Sequence, residues 1–169
     1  MALVNRNSTA IADMVAVPKV AVAPTKGAAG RVFEACGYVA NAANDDANSV
    51  ARFCRVPSNA RVTSVKLTTG DATTAGNIDI GLYKTADNGG AVVDADLFAS
   101  ALALTGGPFI NSEQILESGV YTVDEMVKPL WAVLGLSADP CIEYDVAATI
   151  TTTYDGAAVG QFISVQYVI

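Results

Sequence analysis

The stretch DIGLYKTADNGGAVVDADLFASALALTGG, residues 79–107, sets Asp87, Asp94 and Asp96 around a pair of glycines. Acids at such spacing suit three kinds of chemistry. A calcium loop needs several oxygens at regular short intervals and a bidentate glutamate. DNGGAVVDAD lacks that regularity, and NDDANS offers only the adjacent Asp45 and Asp46. In an extended chain Asp94 and Asp96 point the same way, and two like charges raise one carboxyl toward acid–base use. The third reading makes Asp94 or Asp96 the N-cap of a short helical turn through DADLFAS, since aspartate caps well and apolar residues follow at once. That reading is preferred.

The remaining residues offer little to a catalyst. The chain has no histidine, which removes the commonest general base, the usual zinc ligand and every Ser–His or Cys–His nucleophile. GxGxxG, GxxxxGK[ST] and GxSxG are all missing. Cys36, Cys54 and Cys141 are an odd set without paired spacing, expected to be buried free thiols of a protein made in the cytoplasm. The expectation is no enzyme and no cofactor. The catalytic alternative is an enzyme such as a two-carboxylate glycosidase, and no spacing identifies its pair.

The elements that must position these residues read as all-β. Candidate strands are 31–40, 49–56, 61–69, 76–84, 99–105, 142–153 and 160–169, separated by segments rich in Gly, Pro, Asn and Asp. Ile78, Ile80 and Leu82 alternate with Asp79 and Tyr83. Tyr144, Val146, Ala148 and Ile150 alternate with Glu143, Asp145, Thr149 and Thr151. Ile163, Val165, Tyr167 and Ile169 do so with Phe162, Ser164 and Gln166, which ties Ile169 into the last strand. This period of two is the mark of an antiparallel sandwich with one wet face. Arg52 and Arg55 fall on opposite faces of their strand, which calls for a bulge or an edge position. The one helical island, TVDEMVKPLWAVLG, opens on a capping-box spacing from Thr122 to Glu125, breaks at Pro129 and stops at Gly135. It should plug one end of the sandwich, with Trp131 as core anchor.

Length and charge complete the outline. A chain of 169 residues fits one domain, which at that size buries roughly 70% of its unfolded surface. Residues 1–30 carry Pro18 and Pro24 among small and β-branched residues and read as an extended arm, followed by a domain at 31–169. Asp13, Pro18 and Lys19 interrupt the apolar stretch there, so it does not read as a secretion signal. No apolar run approaches the roughly 20 residues of a membrane span. The net charge of −7 opposes phosphate-driven nucleic-acid binding, but it is unevenly spread. Residues 1–66 hold eight bases against four acids, net +4; the rest hold two against thirteen, net −11. Such polarity suits oriented docking.

The segments VARFCRVPSNARVTSVKL, NIDIGLYKTADNGGAVVDADLFASALAL and KPLWAVLGLSADPCIEYDVAATIT, within 49–169, resemble small structural proteins of tailed bacteriophages, and among those the capsid decoration (cement) proteins of short-tailed phages. The resemblance implies a jelly-roll-like β-sandwich with one or two short helices, lying on the outer capsid and tying capsomers together without an enzymatic site. It implies the major capsid protein and further copies of the chain, as homodimer or homotrimer, as partners. The arm's Arg6, Lys19, Lys26 and Arg31 are the expected capsid contacts. The rival reading is a tail or fibre module for host glycan, which requires Tyr38, Tyr83, Tyr121 and Tyr154 to converge.

Overall fold

The computed structural model describes residues 31–40, 45–70, 75–106, 108–155 and 160–169. The arm at 1–30, with Arg6, Lys19 and Lys26, lies outside the described residues. Among the described residues are eight strands: β1 (Val32–Ala40), β2 (Val50–Pro57), β3 (Arg61–Thr69), β4 (Ala75–Lys84), β5 (Val92–Ala103), β6 (Ser112–Glu113), β7 (Glu143–Asp155) and β8 (Gly160–Val168). Within the ladders, β1 pairs with β8, β2 with β7, β3 with β6 and β4 with β5, all antiparallel. The chain is thus one long ribbon closed by the β4–β5 hairpin. Wrapping that ribbon on itself adds the β3–β8 and β4–β7 pairs and yields two sheets, β1-β8-β3-β6 and β2-β7-β4-β5. This is a jelly roll, an all-β antiparallel sandwich.

Alternation builds the core as the sequence suggests. Ile78, Ile80 and Leu82 from β4, Tyr144, Val146, Ala148 and Ile150 from β7, and Ile163 and Val165 from β8 all face inward and are buried, together with Val62, Val65 and Leu67 of β3. Ile169 is not part of the ladder: β8 ends at Val168 and Ile169 is exposed.

β5 departs from expectation in a way that decides the fate of the acids. It begins at Val92 and not near residue 99, so Asp94 and Asp96 lie inside a strand and cap nothing. Against β4, Ile80 faces Ala99 whereas Leu82 faces Asp94, so two residues of β4 match five of β5. The surplus forms a wide irregularity in which Leu97, Phe98 and Ala99 are buried consecutively. Three inward residues in a row erase the period of two on which the strand reading depended. Gly81 of β4 makes room for this: a Cβ there would strike the backbone of Asp94 and Ala95.

The helical island forms a 3₁₀ turn (Glu125–Val127) and, after Pro129, a single α-helical turn, α1 (Leu130–Val133). Half of the capping box is realised. The Glu125 carboxylate accepts the Thr122 amide, whereas the Thr122 hydroxyl donates to Asp124. Gly135, at φ 71°, ends α1: its amide donates to Ala132 and that of Leu136 to Trp131, the paired bonds of a Schellman stop. The anchor is Leu130, fully buried, and not the half-buried Trp131. The amides of Leu130 and Trp131 donate to the carbonyls of Ala60 and Ser58, which moors α1 to the β2–β3 turn.

Gly81→Ala should cost about 1–3 kcal/mol, the usual range for forcing a methyl into packed space. Urea unfolding monitored by tryptophan fluorescence should show the lower midpoint.

Candidate functional site

One end of the sandwich gathers the β2–β3 turn, the β4–β5 hairpin and the long β6–β7 connection that carries α1. β1 starts at this end too, because Val32 and Arg61 both lie opposite Val168 of β8. Arg31 therefore stands exposed where the chain enters the fold, the one predicted capsid contact among the described residues.

The side wall of this end is set by Asp145 of β7. The register of β2 slips between Arg52 and Cys54, the irregularity that the two arginines required, and it turns both toward one carboxylate. Arg52 Nη1 donates to Asp145 Oδ2 at 3.0 Å and Arg55 Nε to Oδ1 at 2.9 Å, with Asp145 itself buried. Arg52 then reaches further: Nη1 donates to the Lys84 carbonyl and Nη2 to that of Gly90, and its guanidinium lies 5.0 Å from the centre of the Tyr83 ring. A single side chain thereby links β2, β7, β4 and the hairpin loop. Buried Asp145 with two arginines is a structural clamp that leaves no carboxylate oxygen unpaired.

Beside the clamp opens a pocket of about 450 Å³, lined by apolar side chains of β5, β7 and the β6–β7 connection, among them Val93, Leu97, Val120, Val133, Leu134 and Tyr144. Its charged members are Lys84, Asp94 and Glu125. The connection is fastened underneath by Tyr121, fully buried, whose hydroxyl donates to the Val62 carbonyl at 2.9 Å and whose ring meets Phe98 edge-on. Burial pushes the Tyr121 hydroxyl far above its ordinary range, so it serves as a fixed donor. An apolar bowl with a few charges at its margin binds an apolar segment or molecule better than it performs chemistry.

The acids singled out by spacing are dispersed by the fold. Asp87 sits exposed in the 3₁₀ turn of the β4–β5 loop, away from β5. Asp94 and Asp96 are neighbours on β5, and the Asp94 carboxyl is raised, first by burial and then by the adjacent Asp96. Asp79 accepts the Ala101 amide at 2.6 Å, yet burial lifts its carboxyl, aided by Asp96 and Glu117. Among the described residues no group of His, Cys, Asp or Glu is arranged to hold a metal ion, and no helix is long and apolar enough to cross a membrane. The cysteines also differ from expectation: Cys36 and Cys141 are exposed, and only Cys54 is sheltered, its thiol pushed up to about 12, chiefly by burial. Of the tyrosines, Tyr83 and Tyr121 are buried whereas Tyr38 is exposed on β1, so these three form no aromatic platform. The side chain of Tyr154 lies outside the described residues.

Compared with solved structures, the fold matches a chain of the cyanophage Pam1 capsid asymmetric unit, with a TM-score of 0.57 and 18% identity over 91% of this chain and 96% of that one. A chain from the acid-stable capsid of the Helicobacter pylori bacteriophage KHP30 aligns with a TM-score of 0.43 and 17% identity, covering 82% of this chain and 87% of that one. No family model and no curated protein matches the sequence. What the Pam1 comparison establishes is a shared fold across nearly the whole of both chains.

Asp94 supplies a test of the acidic margin. Its folded-state carboxyl lies above the ordinary 3.8, so folding favours the protonated form. That contribution is present below about 3.8 and is lost as pH rises through the folded value, leaving an ionised carboxylate as a burden at neutrality. Asp94→Asn should therefore melt higher than the parent at pH 7, and the gain should fade as the buffer is taken below that value. Thermal denaturation across the pH series measures both.

Proposed function

We propose that the protein is a structural virion component that binds the outer capsid surface of a tailed phage and cements neighbouring capsomers. The observation that carries this reading is the correspondence, nearly end to end in both chains, with a chain of a phage capsid asymmetric unit. The jelly roll itself agrees with the fold expected of such proteins, and the arrangement of charge supports oriented docking. Its partners are then the major capsid protein and further copies of the chain, as dimer or trimer, and the site of action is the assembled head.

Cementing a shell needs contact area repeated over a lattice, so modest affinity per copy is sufficient. The basic residues of the arm, Arg6, Lys19 and Lys26, with Arg31 at its root, orient the encounter with an acidic strip on the shell. The extended arm then gains backbone hydrogen bonds along a groove or sheet edge. The glycan-binding alternative has less support, since Tyr83 is covered by Arg52 and Tyr121 is spent in the interior.

A chain lacking residues 1–30 should remain folded by circular dichroism and yet fail to co-sediment with expanded heads. Full retention of the shortened chain would sink the arm's role. For the intact chain, added salt should slow capture by heads more than it speeds release, because it screens the approach of exposed charges and not the formed contact. Surface plasmon resonance on immobilised heads separates the two rates.

A further inference from the structure

The pocket at the end where β1 begins is an apolar surface that the domain does not fill. Val120 and Leu136, which line it, are 48% and 41% exposed, and the same connection displays Val123 and Val127 at 69% and 61%. Exposed large apolar side chains lining a concave site, as Val120 and Leu136 do, mark a place where another apolar segment docks. The sequence contains such a segment. Residues 14–24, MVAVPKVAVAP, hold Val15, Val17, Val20 and Val22 around the single charge of Lys19.

Charge and reach agree. The pocket carries Asp94 and Glu125 against one cation, Lys84, whereas residues 1–31 hold four bases and one acid. The arm joins the fold at Arg31, at the same end as the pocket. Arg31 lies twelve positions after Lys19, a reach of up to about 40 Å when extended. Crossing a four-stranded sheet needs only about 15 Å. A tether of this length presents the segment at roughly millimolar effective concentration, so a weak fit suffices within one chain.

We propose that the pocket holds the chain's own N-terminal segment, Met14–Pro24, with its valines on the apolar wall and Lys19 between Asp94 and Glu125. In the free protein the arm is stored against the domain. This inference concerns the isolated chain and stands apart from whether the protein cements heads.

The test uses the full chain with p-benzoylphenylalanine in place of Val17, mixed equally from ordinary and ¹⁵N-labelled preparations and irradiated without heads. Peptide mass spectrometry should find crosslinks at Val120, Leu134 or Leu136, joining like-labelled peptides only. Lys19→Glu, which lies in the arm and leaves the domain untouched, should cut the yield about fivefold, the equivalent of roughly 1 kcal/mol. Crosslinks between labelled and unlabelled chains would assign the pocket to a second copy and overturn the proposal. So would crosslinks away from the pocket, an absence of crosslinks, or a yield unmoved by Lys19→Glu.

Discussion

The buried carboxylate of Asp145 is the interaction on which the geometry of the β2-β7-β4-β5 sheet depends. β2 is an edge strand, and its register slips by one residue in the middle, a place where a ladder easily loses its alignment. Two arginines on opposite sides of that slip converge on one carboxylate, so only one alignment satisfies both. Replacing such a cluster with apolar groups is often neutral for stability, so its contribution is better understood as specificity of register. Because Arg52 continues to Lys84 and Gly90, the same alignment fixes the hairpin from which Lys84 reaches the pocket.

A second constraint acts across the sandwich. Gly37 of β1 lies so close to Phe53 of β2 that an added Cβ would collide with its carbonyl. The two edge strands therefore approach within backbone contact at one side. None of the nine residues of β1 is buried, although Phe33 stacks on Tyr167 at 5.6 Å. The pocket of about 450 Å³ lies away from this contact, walled by β5, β7 and the β6–β7 connection.

Legibility in the sequence followed how closely each element kept its period. β4, β7 and β8 could be read within a residue or two of each end, because their inward positions alternate, whereas β3 was read as closely although its buried Val62 and Val65 stand three apart across a bulge. β5 could not: its five residues against two of β4 put Leu97, Phe98 and Ala99 in the core together, and the acids before them looked like caps. β6 has two residues, too few to show any period, and its ladder is completed by the Glu113 carboxylate accepting the Val65 amide. The need for an irregularity at Arg52 and Arg55 was visible, but their shared partner, some 90 positions away, was not. The pocket was hidden for the same reason, since its walls come from residues 84 to 144 and no local spacing marks them.

The ribbon topology also has a consequence for how the protein is made. Val32 pairs with Val168, so the opening strand of the sandwich finds its only ladder partner among the described residues in the closing one. A ribosome delivers β1 first and β8 last, and between the two events β1 has an unsatisfied backbone and apolar side chains on view. Long-range pairing of this kind makes folding slow and leaves intermediates prone to association. Each chain must therefore pass through its most adhesive state once, at a time set by translation, and the yield of finished chains depends on how crowded that interval is.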